Sequence, residues 1–176
     1  MKKEFIKLSS ILCLITLVAA LLLAGVNKIT APRIKEAEEK ATQEAMKAII
    51  PEADSFVELN KDVTAAKKEN KVIGFCTKVT TTGYGGDISM MVGIDTYGTV
   101  YGIEILSHSE TAGLGANITK DEFKEKYVGA PVPQNPDDKS QIATITGATV
   151  SSRAIANGVK KADELVCKAV EEARAK

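Results

Sequence analysis

Tryptophan is missing from this chain, tyrosine and phenylalanine number only four each, and His108 is the single histidine. So thin an aromatic supply leaves little for a surface that stacks nucleic-acid bases. Neither sign of charge prevails, because 23 lysines and arginines meet 23 aspartates and glutamates. Without a basic footprint, nucleic acid is not an expected partner. Three cysteines, Cys13, Cys76 and Cys167, stand far apart with no CxxC and no Cys/His ligand spacing. That pattern argues against a metal or iron–sulfur site and against a disulfide framework. There is no P-loop, no GxSxG and no HExxH, and "GLGAN" at 113–117 lacks the third glycine of a dinucleotide fingerprint. His108 lies between Ser107 and Ser109. A hydrolase base must face its nucleophile across space, so this adjacency argues nothing for hydrolysis. No catalytic residue and no metal ligand is expected.

What is present begins with an apolar run. "LSSILCLITLVAALLLAGVN", from Leu8 to Asn27, carries no charge. Twenty helical residues at about 1.5 Å each span about 30 Å, the thickness of a bilayer's hydrocarbon core. A cleaved signal peptide is the rival reading, but the run is longer than the usual apolar core and ends in no small-x-small site. An uncleaved single-pass anchor is therefore expected. Lys2, Lys3 and Lys7 precede it and Lys28, Arg33, Lys35 and Lys40 follow, so positive charge alone leaves its orientation open.

Three regions follow from composition: a tip and transmembrane helix over 1–30, a spacer helix and connector over 31–70, and a domain over 71–176. "PRIKEAEEKATQEAMKAIIP" at 32–51 reads as a helix opened by Pro32 and closed by Pro51, with a modest stripe of Ile34, Ala37, Ala41, Ala45, Ala48 and Ile49. Between Lys71 and His108 the chain turns rich in β-branched residues with glycine punctuation, predicting strands near 72–81, 87–95 and 99–107, with a tight turn at "DTYGT". Short turns between consecutive strands imply an antiparallel meander. Thr119 followed by Glu122 predicts a capping box for a short helix over 119–129. The last helix, about 151–173, carries Ile155, Val159, Ala162, Val166, Ala169 and Ala173 on one stripe to lay on the sheet. The fold class is thus α+β, with an antiparallel sheet flanked by helices.

Two polar stretches remain: "SHSETAGLG" at 107–115 and "TGATVSS" at 146–152. Taken singly, the first is a loop leaving a strand and the second a helix start with surplus capping hydroxyls. Together, and in this order behind an anchor, a spacer helix and the "GYGGDISMMVGID" strands, they closely resemble the flavin-binding domain of the G subunit of the Rnf electron-transport complex. A related family is the C subunit of the sodium-pumping NADH:quinone reductase. The overall length suits the former. Two positions depart from the family pattern: Ala112 stands where proline is usual, and Ala143 where an aspartate often precedes the modified threonine by six residues.

The resemblance implies covalent FMN, held by a phosphoester on Thr149 and installed by a flavin transferase. It implies that Glu110 and Thr111 contact or position the flavin, that Leu114 packs on its ring, and that Gly115, Thr146, Gly147 and Ala148 complete the site. Tyr84, beside Gly85 and Gly86, reads more simply as a strand-turn tyrosine. The resemblance further implies an inner-membrane protein with its amino terminus in the cytoplasm and its FMN domain outside. Its partners would be the other membrane subunits of a complex that moves electrons between ferredoxin and NAD and couples them to sodium or proton transport. The chain itself would be a carrier, with turnover belonging to the assembly. Two rivals stand beside this reading: an FMN-carrying subunit of another respiratory assembly, and a tethered extracytoplasmic binding or scaffold domain without a cofactor.

Overall fold

The computed structural model describes residues 2–138 and 140–174. One helix, α1, runs from Lys2 to Ile49. Its part up to Lys40 forms one compact unit, and the chain from Ala41 onward forms a second. In the first unit the apolar side chains point outward all round: Leu14, Leu17, Leu22 and Val26 are each about half exposed or more. A helix apolar on every face belongs in a core or a membrane. Among the described residues, this is the one helix long and apolar enough to cross a bilayer.

The separate spacer helix expected from Pro32 is not formed, because Pro32 lies inside α1. Proline removes one helical N–H, depriving the Lys28 carbonyl of its usual donor. The Leu/Ala-rich turns before it and the Glu/Lys/Ala-rich turns after it are strong helix formers, and they carry the helix through.

In the second unit, five strands follow in simple order: β1 (Ser55–Glu58), β2 (Val63–Lys68), β3 (Lys71–Thr82), β4 (Asp87–Asp95) and β5 (Val100–Ser107). They pair β1-β2-β3-β4-β5, antiparallel throughout. The last three lie where the alternation predicts them. The first two correct the expected connector at 51–70. They are joined to the rest by a two-residue turn in which Glu69 and Asn70 both have positive φ (50° and 64°), the geometry of a hairpin that follows strand twist.

Strand β4 is an interior strand, flanked by β3 and β5 and buried on both faces from Met90 to Ile94, which explains the continuous apolar run there. On one face Ile88, Met90, Val92 and Ile94 meet α3 (Thr149–Arg174) through Ile155, Val159, Ala162, Val166 and Ala169. The predicted stripe is therefore the buried one, except that Ala173 is exposed. Gly158 allows the close approach, since a Cβ there would overlap the Met90 methyl. On the opposite face the end of α1 closes a smaller core, with Ala45, Ile49 and Ile50 against Ala66, Cys76 and Met91. Gly93 leaves room for Ile49 there.

The "DTYGT" turn forms as expected: Asp95 Oδ1 accepts from Tyr97 N–H at 2.7 Å and Thr99 N–H at 2.8 Å, and Gly98 has φ +83°. The capping box does not form. The Thr119 hydroxyl donates backward to the Ala116 carbonyl at 2.9 Å, ending a 3-10 turn, and the helix α2 is only Asp121–Lys124, preceded by Lys120 without a side-chain cap.

Candidate functional site

Three segments meet at one end of the sheet: the β3–β4 turn, the loop leaving β5, and the first turn of α3. Their sequences dictate the meeting. "TGYGGD" closes β3 onto β4 with Gly83 N–H donating to the Gly86 carbonyl at 2.8 Å. The loop after Ser107 folds on the Thr111 carbonyl, which accepts from Leu114 N–H at 3.2 Å and Ala116 N–H at 3.1 Å, with Gly113 at φ +78°. Before α3, Gly147 takes φ +80°. The Ser152 hydroxyl then accepts from Ile145 N–H at 3.0 Å and donates to the Ala148 carbonyl at 2.9 Å.

Between these segments lies a cleft of about 410 Å³. Tyr84 lines it from the turn; Glu110, Thr111, Leu114 and Gly115 from the loop; and Gly147, Ala148, Thr149, Val150 and Ser151 from the helix start. The volume falls within the usual range of about 300–1,000 Å³ for small-molecule sites. Of the residues named from sequence, all but Thr146 line this cleft; Thr146 is exposed outside it.

The cleft has a polar floor and an apolar rim. Thr149 is the first residue of α3 and half-buried. Thr149 lines the cleft, and among the described residues no group hydrogen-bonds its hydroxyl. The first backbone N–H groups of a helix have no intrahelical acceptor, and with the helix dipole they favour an anion. Gly147 adds no bulk beside them; a Cβ there would come within 3.3 Å of Leu114 Cδ2. Around the mouth, Tyr84 is 75% exposed, Leu114 48% and Val150 47%, an unusual gathering of apolar side chains at a concave site.

The sequence presents Tyr84 as an ordinary turn residue and does not single out Val150. It offers Ser151 and Ser152 as surplus hydroxyls, whereas both are fully buried and bonded. Tyr84 sits between two glycines, which is the one signal the sequence holds for it. Nothing local distinguishes Ser151 from a solvated cap.

Comparison with known proteins supplies the ligand. Residues 83–164 match the FMN-binding domain family, and residues 1–49 match the RnfG N-terminal region. The G subunit of the proton-translocating ferredoxin:NAD(+) oxidoreductase complex of Clostridium ljungdahlii is 36% identical over 156 residues, covering 85% of this chain and 84% of that protein. The G subunit of the ion-translocating oxidoreductase complex of Methanosarcina acetivorans is 32% identical, covering 93% and 95%. Among solved structures, the C subunit of the Na(+)-translocating NADH-quinone reductase from Parabacteroides distasonis overlays with a TM-score of 0.48, at 21% identity over 57% of each chain.

The residues present fit FMN. A phosphate needs donors without bulky neighbours, which the Gly147–Ser151 helix start provides, and a flat ring system needs apolar cover, which Leu114, Val150 and Tyr84 can give. The class is therefore an FMN-binding domain behind an apolar N-terminal helix. Within that class, the chain belongs to the RnfG family, the G subunits of the Rnf-type ion-translocating oxidoreductase complexes.

Proposed function

We propose that this chain is a membrane-anchored electron-transfer subunit that carries FMN on Thr149 through a phosphoester bond. The observation that carries this reading is Thr149: half-buried, lining the cleft, and the first residue of α3. The esterified phosphate is a diester with one negative charge. At a helix N-terminus that charge is stabilised by about 0.3–1 kcal/mol, modest beside a covalent bond but enough to orient it. Thr149, Val150 and Ser151 would hold the phosphate with their N–H groups, Gly147 and Ala148 giving it close access to the backbone. Leu114 would pack on the ring, with Thr111 and Gly115 shaping the loop beneath it. When bound, FMN supplies the redox chemistry; the polypeptide fixes its position and its surroundings.

Covalent attachment suits an extracytoplasmic site, where a dissociated nucleotide would be lost. The N-terminus of α1 then lies in the cytoplasm and the second unit on the outer face. A flavin transferase installs the group, and the complex moves electrons between ferredoxin and NAD while translocating sodium ions or protons. The family often has an aspartate where Ala143 packs against the main core here.

Protein co-expressed with a flavin transferase should keep yellow fluorescence through denaturing electrophoresis. Mass spectrometry of the tryptic peptide containing Thr149 should show the added nucleotide. Thr149→Val should lose both signals with little change in folding, since the hydroxyl supports no internal hydrogen bond. An unmodified Thr149 in protein from a competent host overturns the reading.

A further inference from the structure

We infer that Glu110 is a positioning residue, a carboxylate clamp that builds the flavin cleft by joining its three walls rather than by touching the flavin. The inference rests on the cleft being the FMN site. Both carboxylate oxygens are already committed. Oε1 accepts from Tyr84 N–H at 2.7 Å and Gly85 N–H at 3.2 Å, while Oε2 accepts from the Ser151 hydroxyl at 2.7 Å. These partners lie 26, 25 and 41 residues away in sequence, one wall to each side of the loop that carries Glu110. The residue is only 8% exposed. Its own N–H donates to His108 Nδ1 at 3.1 Å, which fixes the backbone where the chain leaves β5.

The surrounding chain is built to receive this group. A Cβ on Gly83 would overlap Oε1, and a Cβ on Gly115 would overlap Oε2 and come within 2.7 Å of Ser151 Oγ. Two glycines from separate walls thus leave the space the carboxylate fills. A bare carboxylate beside a phosphate diester would repel it, whereas this one directs its charge into two backbone N–H groups and a hydroxyl. A buried carboxylate is tolerated only when bonded in this way. Its consequence for the cofactor is indirect: it sets where exposed Tyr84 and the first turn of α3 stand relative to each other.

The test uses the full chain in detergent, with and without attached flavin, and the variants Glu110→Gln, Glu110→Ala and Ser151→Ala. In the flavin-free chain, Glu110→Ala should speed amide hydrogen exchange at Tyr84 and Gly85 by about tenfold or more, as expected for N–H groups losing a charged acceptor. Glu110→Gln should rescue it: its carbonyl still accepts from both N–H groups, and its amide can donate to Ser151 Oγ. Ser151→Ala should loosen only the start of α3 and leave Tyr84 and Gly85 protected. In the loaded protein, Glu110→Ala should lower flavin occupancy and Glu110→Gln should restore it, with the reduction potential of the Gln form raised by the loss of one negative charge beside the cleft. The clamp is overturned if Glu110→Ala leaves flavin-free exchange unchanged. It is equally overturned if Glu110→Gln leaves Tyr84 and Gly85 exchanging faster than in the wild type, which would mean that acceptor geometry at this position is not what holds them. Should Glu110→Ala fail to fold, the Gln and Ser151 variants decide between these outcomes. The exchange readout needs no flavin, so failure of Thr149 attachment would be seen separately.

Discussion

Ser152 reaches back seven residues along the chain to hold Ile145: its hydroxyl accepts from Ile145 N–H at 3.0 Å while donating to the Ala148 carbonyl at 2.9 Å. A side chain of the helix thereby pins the segment that leads into it, and Thr149 stands inside that short bridge. Ser152→Ala removes both bonds in a buried place and leaves Ile145 N–H without its acceptor. A loss of roughly 1–3 kcal/mol is expected. Thermal unfolding followed by circular dichroism should report it, and the flavin-to-protein absorbance ratio of co-expressed protein should fall as well.

Thr146 and Thr149 are three residues apart, yet only the second lines the cleft. Thr146→Val should therefore leave covalent fluorescence at the wild-type level, and Thr149→Val should abolish it. If the two variants behaved in reverse, the attachment point would be Thr146. In-gel fluorescence of both, loaded in equal amounts, gives the comparison.

Gly147 occupies left-handed backbone at φ +80°, and a Cβ there would press on Leu114 Cδ2 at 3.3 Å. Gly147→Ala should cost about 1–2 kcal/mol from the conformation alone. It should also push Leu114 off its place in the cleft. The denaturation midpoint measures the first effect and a change in the flavin's visible spectrum the second.

Burial pushes the Cys76 thiol up from its ordinary value of 9.0 to about 12. The folded state thus keeps its proton where the unfolded chain has lost one. Stability from this group is complete below about pH 9 and declines as the pH rises toward 12, by at most about 1.4 kcal/mol per pH unit. Tyr127, also raised by burial, adds an alkaline decline of the same sign. Cys76→Ala should flatten the loss of stability above pH 9 without abolishing it, read from urea midpoints across that range. At neutral pH an alkylating reagent should label exposed Cys167 in the folded protein and Cys76 only after unfolding.

Strong periodicity makes β3, β4, β5 and α3 readable, because each carries a stripe or run that only one burial pattern satisfies. Strands β1 and β2 are not. "VTAAKK" is rich in alanine and lysine, and its following turn uses Glu69 and Asn70 instead of a glycine. Their strand state comes from pairing with β3, which is tertiary information. Thr119 shows the same limit: the hydroxyl that fits a capping box satisfies the preceding carbonyl instead. For the site, the two polar loops point to Thr149 and to the residues around it through a family resemblance. For Glu110 the resemblance implies only that it contacts or positions the flavin. That its oxygens are spent on Tyr84, Gly85 and Ser151 depends on contacts between distant segments, which no local pattern records.

The roof over Met91 and Cys76 is the tail end of the same helix whose beginning suits lipid. A water-soluble version for crystallisation or electrochemistry should therefore be trimmed ahead of Ala41, keeping Ala45, Ile49 and Ile50 in place. Trimmed at residue 50 instead, the sheet would present a bare greasy face, and the shortened protein would be expected to self-associate before its redox behaviour could be recorded.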